Sequence, residues 1–381
     1  MRLSPLSSIL FGLSTTIAGV ACSSSNTSGS GGAGGAIVGP GATSTSSSSR
    51  SSSSSSGAPC PGETIASAAS SEFCQATAVP LDCSAVTPAL PNEVCGVFVG
   101  ALSTDLARST MVKEFAGSGP PELACLASAG YPPKANPAAS SSVTMSGVVE
   151  IFSSGCESNN VEIEVFEVAP DGGVGATVGN AVTTSSDCSI SGVAEANATC
   201  GTRYLCKYSY PSVPTEKQLL VRTSGTQWAS FNEYGVYASN ADAPNGTWQR
   251  NLRALSSDDY SIIPAVATGG PITPGHGAIF GEVHDCGDVR LLHAVANIDA
   301  PKTSLTYFAS NEATPLPDLS ATGTSATGLF AAIDVAPGKV AVAAAGNVGG
   351  QATALGFTHV TVFPNAVTFV TLRGVEPYQV P

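Results

Sequence analysis

The stretch Gly328-Leu329-Phe330-Ala331-Ala332-Ile333-Asp334-Val335-Ala336-Pro337-Gly338-Lys339-Val340-Ala341-Val342 decides the fold. It holds two short runs of β-type residues broken by Pro-Gly, a pair that closes tight turns. Val335, Val340 and Val342 are expected to point inward. Outward from this stretch the pattern repeats. Val289 to Val295, Leu305-Thr306-Tyr307-Phe308 and Val360 through Leu372 are further short runs with Gly, Pro and Asn between them. Short strands at near-regular spacing predict an antiparallel sandwich in an all-β body.

The residues Gly281, Val283, Asp285 and Ala294, followed by Gly328, Phe330, Val335, Pro337, Gly338, Val340 and Val342, resemble the carboxypeptidase regulatory-like domain family. The resemblance implies a transthyretin-like antiparallel β-sandwich over residues 272–381. The polar insertion between Phe308 and Gly328 is expected as an exposed loop. Residues 141–271 read as a degenerate copy. Ser146-Gly147-Val148-Val149 opens it, Val161-Glu162-Ile163-Glu164-Val165 alternates cleanly, and Val213-Pro214 through Arg222 parallels Val335 through Val342. Val161, Ile163 and Val165 fall on one face of that strand.

The amino terminus carries Arg2, a brief apolar patch from Ile9 to Leu13, and Gly19-Val20-Ala21-Cys22. Small residues before a cysteine resemble the bacterial lipoprotein cleavage box, with Gly19 where Leu is usual. The resemblance implies a signal peptide over residues 1–21, a lipid on Cys22, and, with Ser23 next, the outer membrane or cell surface of a Gram-negative envelope. An ordinary signal peptide cut near Ala21, giving a secreted or periplasmic soluble protein, is the alternative. Residues 22–58 are almost entirely Ser, Gly, Thr and Ala. They have no apolar surface to bury and are expected as a disordered tether reaching roughly 30–36 Å. Gly29-Ser30-Gly31-Gly32-Ala33-Gly34 spells a dinucleotide fingerprint, but it has no strand before it and no helix after it.

Eleven cysteines are present. Setting Cys22 aside leaves an even number: Cys60, Cys74, Cys83, Cys95, Cys125, Cys156, Cys188, Cys200, Cys206 and Cys286. None forms a Cys-x-x-Cys pair, so disulfides in an oxidising compartment are expected rather than a metal cluster. Residues 59–140 form a Cys-rich connector, with one helical periodicity at Val94, Val97, Phe98, Ala101, Leu102 and Leu106. Cys286 stands alone in residues 272–381, so full pairing would tie it to the connector or to the first copy.

Charge excludes one class of partner. The net charge is −13 and there is no basic tract, which argues against nucleic acid. His276, His284, Asp285, Asp288 and His293 lie close together, but without zinc-ligand spacing they read as surface or turn residues, Asp285 as a turn cap. Glu162 and Glu164 read as neighbours on a wet sheet face, Glu72 and Glu122 as solvated. No Gly-x-Ser-x-Gly elbow exists. No catalytic residue, metal or cofactor is expected. Tyr204, Tyr208, Tyr210, Trp228, Phe231, Tyr234, Tyr237, Trp248 and Tyr260 form an aromatic cluster that includes both tryptophans of the chain. These serve first as core. Trp228, Tyr234, Tyr237 and Trp248 are the candidates for ligand binding. The expected function is a non-catalytic envelope lipoprotein with a structural or adhesive presenting role. The alternatives are a carbohydrate- or protein-binding module built on residues 204–260, with a polysaccharide or envelope protein as partner, or an enzyme of unrecognised class.

Overall fold

The computed structural model describes residues 104–111, 115–126, 134–152, 155–197, 199–310, 315–374 and 376–379. The signal segment, the tether, Cys22, Cys60, Cys74, Cys83 and Cys95 lie outside the described residues, as does all of the 94–106 helical periodicity before residue 104. In chain order the strands are β1 (Ala107–Arg108), β2 (Ser142–Phe152), β3 (Glu162–Val168), β4 (Val174–Thr183), β5 (Val193–Asn197), β6 (Gly201–Leu205), β7 (Lys207–Pro214), β8 (Leu219–Ser224), β9 (Trp228–Val236), β10 (Thr247–Gln249), β11 (Leu252–Ser256), β12 (Gly277–Val283), β13 (Leu291–Leu292), β14 (Val295–Ile298), β15 (Ser304–Phe308), β16 (Pro317–Asp318), β17 (Leu329–Val335), β18 (Gly338–Val348), β19 (Gln351–Val362) and β20 (Ala366–Leu372). Among the described residues the α-helices are α1 (Cys188–Ser191) and α2 (Ser257–Thr268), with short 3-10 turns at Ala124–Leu126, Pro137–Ala139 and Asn240–Asp242. The fold is all-β, as the sequence pattern predicts.

The pairing pattern of the second half repeats that of the first. β2 pairs antiparallel with β7 and parallel with β11. β12 likewise pairs antiparallel with β17 and parallel with β20. β8 and β9 form an antiparallel pair, as do β18 and β19. In the second half a sheet of β15, β17, β12 and β20 faces the three-stranded sheet β14-β18-β19. Ile279, Phe330, Ala332, Val335 and Val370 from the first pack against Ala296, Ile298, Val340, Val342 and Val360 from the second. In the first half Met145, Val149, Tyr210 and Leu252 meet Ile163, Val165, Leu219 and Val221.

The two halves share one sheet. β20 pairs parallel with β9, so the ladder runs from β11 through β9 and β20 to β12. A third apolar cluster covers this junction. Ile263 and Ala267 of α2 lie on Phe231, Phe280, Phe308 and Phe369. α2 begins at Ser256, whose side chain accepts from the Asp259 amide, and ends at Gly269 in the left-handed conformation. Among the described residues no helix is long and apolar enough to cross a membrane.

Three details differ from the sequence expectations. β17 and β18, on either side of Ala336-Pro337, lie in different sheets, so this turn carries the chain across the sandwich and does not close a hairpin. The insertion after Phe308 is not wholly exposed, since Thr324, Ala326 and Thr327 are buried. His284 and Asp285 are buried as well. Asp285 does cap its turn, its Oδ1 accepting from the Gly287 and Val289 amides at 2.9 and 3.1 Å.

Candidate functional site: a polar cavity beside a buried ion cluster

β12 is buried along its whole length, yet it carries Glu282. A carboxylate with 1% exposure persists only with charged or hydrogen-bonding partners. Arg290 Nη2 donates to Glu282 Oε1 at 2.6 Å. Arg253 Nη2, from β11, donates to Oε2 at 3.1 Å. His284 Nε2 lies 3.0 Å from the same oxygen. The chain of contacts continues both ways. His284 Nδ1 stands 2.9 Å from Asp288 Oδ1, and Arg373 Nη1 lies 3.1 Å from that oxygen. On the other side Arg253 Nη1 approaches Glu233 Oε1 of β9 at 3.5 Å, and Arg250 Nη2 reaches it at 2.5 Å. Phe115 covers the cluster, its ring 5.0 Å from the His284 ring and 5.1 Å from the Arg290 guanidinium.

These contacts set the protonation states. Burial pushes the Glu282 carboxyl up, but Arg253, Arg290 and His284 outweigh it and hold it well below the usual carboxylate range. Burial pushes His284 down, but its bonds to Asp288 and Glu282 bring it above the ordinary histidine value. Asp288, opposed by burial, is held at about 2 by His284 and Arg373. Glu376 behaves differently. Burial dominates there and pushes its carboxyl up to about 7, despite Arg373 and Arg250 nearby.

Beside the cluster opens a cavity of about 770 Å³. Its acidic lining is Glu216, Glu233, Asp242, Asp288 and Glu376. Its basic lining is Lys134, Arg250, Arg253 and Arg373, with His284 among them. Phe115, Tyr234, Tyr237 and Trp248 supply aromatic surface. A second cavity of about 500 Å³ has Glu150, Glu195, Arg203, Glu282 and Arg290 on its wall. Arg253 borders both.

Three of the four aromatic candidates meet at the larger cavity. Tyr237 donates to Glu216 Oε2 at 2.8 Å. The Tyr234 hydroxyl donates to the Gly172 carbonyl at 3.1 Å and accepts from the Thr361 amide at 3.2 Å. The Arg250 guanidinium lies 5.6 Å above the Trp248 ring. Trp228 is elsewhere, buried in the core of the first half with its indole N–H donating to the Asn159 carbonyl at 2.8 Å. Of the histidines weighed as ligands, His276 lies 3.1 Å from Asp334, and His293 Nδ1 is 2.9 Å from the Asp105 carbonyl oxygen. Glu164 lies 3.4 Å from Arg222, and Glu122, its side chain 61% exposed, lies 3.1 Å from Arg108. Among the described residues no three His, Cys, Asp or Glu side chains gather closely enough to share a metal ion.

Disulfides join Cys125 to Cys286, Cys156 to Cys200 and Cys188 to Cys206. The first fastens the connector to the turn after β12. That turn is held further by Arg108 Nε, which donates to Asp285 Oδ2 at 2.6 Å.

Sequence reasoning missed Glu233, Arg250, Arg253, Glu282, Arg290, Arg373 and Glu376. One signal was available. The chain has only 15 Lys and Arg residues, and a carboxylate inside Ala278-Ile279-Phe280-Gly281-Glu282-Val283 needs one of them.

No known protein family and no curated protein matches the chain. Solved structures similar to parts of it include a leucine-rich repeat protein from Bacteroides thetaiotaomicron, at 10% identity and a TM-score of 0.17 over 63% of this chain and 27% of that one. The chain thus spans about a quarter of that protein's length. The shaft pilin SpaA of Lactobacillus rhamnosus GG matches at 12% identity and a TM-score of 0.18, over 62% of this chain and 100% of the pilin. The minor pilin GBS52 of Streptococcus agalactiae matches at 12% identity and a TM-score of 0.18, over 63% of this chain and 98% of the pilin. TM-scores this low carry no argument about fold or function.

Proposed function

We propose that this chain is an exported, non-catalytic envelope protein with a structural or adhesive presenting role, held to a membrane by a lipid on Cys22. The observation that supports this most is the cross-linked body. Three disulfides fit an oxidising compartment. A sheet continuous across both halves, with Cys125–Cys286 fastening the connector to the second, suits a rigid unit carried on a tether. Each half is read as a carboxypeptidase regulatory-like sandwich, the second the clearer. The partners in this reading are a membrane, through the lipid, and a polysaccharide or protein of the envelope.

Cell fractionation with a Cys22→Ala variant tests the anchor. The wild-type chain is expected in the membrane pellet and the variant in the soluble fraction. Equal pelleting of both removes the lipid from the reading. Protease treatment of intact cells tests display, since a presented body is cleaved while a periplasm-facing one survives.

A further inference from the structure

We propose that the 770 Å³ cavity between β9, β10, β11, the end of β20 and the carboxy-terminal segment is a binding site for a neutral saccharide. Its volume falls within the range of small-molecule sites, about 300–1,000 Å³. Both signs of charge line it closely, and most of these groups are already paired. Glu233 holds Arg250 and Arg253, and Asp288 holds His284 and Arg373. Glu216 accepts from Tyr237 and from the amides of Asn136 and Asn240.

The lining selects against three kinds of occupant. An anion would face five carboxyl groups, and a cation would face three guanidinium groups and Lys134. An apolar molecule would displace water from these ions and return no hydrogen bonds. Sugar hydroxyls answer this mixture. Each both donates and accepts, so neighbouring hydroxyls can bridge a carboxylate and a guanidinium without adding net charge. A paired carboxylate keeps spare acceptor sites, and a paired arginine keeps spare N–H groups.

Arg250 is the focal residue. Its guanidinium lies over the Trp248 ring, and its Nη2 is fixed by Glu233. Its Nε is buried with no hydrogen-bond partner among the described residues, an uncommitted donor on a residue of the cavity wall. Tyr237, half-buried, supplies aromatic surface against which a pyranose ring packs, while Trp248, buried with the Arg250 guanidinium over its ring, stands in the wall as a reporter.

The chain's two tryptophans make the test clean. Trp228→Phe leaves Trp248 as the only indole, and it sits at the cavity. The full chain is first applied to a broad glycan array. The single-tryptophan protein is then titrated with the best neutral oligosaccharide and, separately, with trigalacturonate and spermidine. Saturable change in Trp248 emission with the neutral sugar alone is expected. Arg250→Lys keeps a charge for Glu233 but loses the planar fork, and is expected to weaken binding by about tenfold, the equivalent of one charged hydrogen bond. Circular dichroism confirms that the variant remains folded, and if it does not, Glu376→Gln serves in its place. An array with no neutral glycan bound overturns the proposal. So does an equal response to trigalacturonate or spermidine, or a folded variant that binds like the parent. The outcome is independent of where the protein resides in the cell, so it separates from the anchor experiments.

Discussion

Arg253 on β11 and Glu282 on β12 meet at 3.1 Å, with side-chain exposures of 14% and 1%, although no ladder joins their strands directly. β9 and β20 stand between them in the sheet, and the long arginine side chain crosses over Phe369 of β20, its guanidinium 4.6 Å from that ring. The contact therefore links the two halves over the strand that already joins them.

Replacing Glu282 with Gln removes the charge that Arg253, Arg290 and His284 share. Stranding buried cations costs about 3–5 kcal/mol. A urea midpoint lowered accordingly, with an unchanged slope, is the expected result.

Glu376 should give stability a pH dependence of its own. The unfolded carboxyl titrates near 4.5 and the folded one at about 7, so the folded state holds its proton more tightly. Stability is lost as pH rises from about 4.5 to about 7, by up to about 3 kcal/mol. Glu376→Gln should remove that component, read as the difference between the two proteins' unfolding free energies across this window. Asp288 works in the opposite sense. Its folded value of about 2 means that its contribution is complete above about 3.8 and is lost as pH falls toward 2.

Gly281 lies on β12 against Phe330 and Val370. A Cβ there would stand 2.4 Å from Phe330 Cζ and 2.9 Å from Val370 Cγ2. Gly281→Ala should destabilise by about 1–3 kcal/mol through overpacking, measured by thermal or urea unfolding. Gly147, which opens the first half, is hemmed in by backbone instead, with the Arg250 carbonyl oxygen 2.0 Å from where its Cβ would be.

How much of this was legible depended on range. Alternation along one strand reads directly as burial. Val161, Ile163 and Val165 are fully buried while Glu162 and Glu164 face outward, and Val335, Val340 and Val342 are buried as their spacing implies. Pairing is a long-range property, so Pro337-Gly338 announced a turn without saying that its flanking strands join different sheets. The ion cluster was less legible still. Glu233, Arg253, Glu282 and Arg373 come together only because β9, β11, β12 and β20 stack side by side, and no local period encodes that adjacency. The aromatic cluster was legible as a group, but which rings reach the cavity depended on strand register. Trp228 of β9 and Trp248 of β10 are almost equally buried, yet only Trp248 borders the cavity.

Removing the Cys125–Cys286 link, as Cys125→Ser with Cys286→Ser, should cost about 2–5 kcal/mol, because the bridge closes a loop of sequence separation 161. A comparison of urea midpoints under non-reducing conditions reads this loss.

Peptide mapping of the exported chain, digested without reduction and read by mass spectrometry, tests the cross-linked oxidised body most directly. The expected result is three linked peptide pairs, Cys125 with Cys286, Cys156 with Cys200 and Cys188 with Cys206. Free thiols at these six positions, or Cys286 joined to any other cysteine, would contradict it.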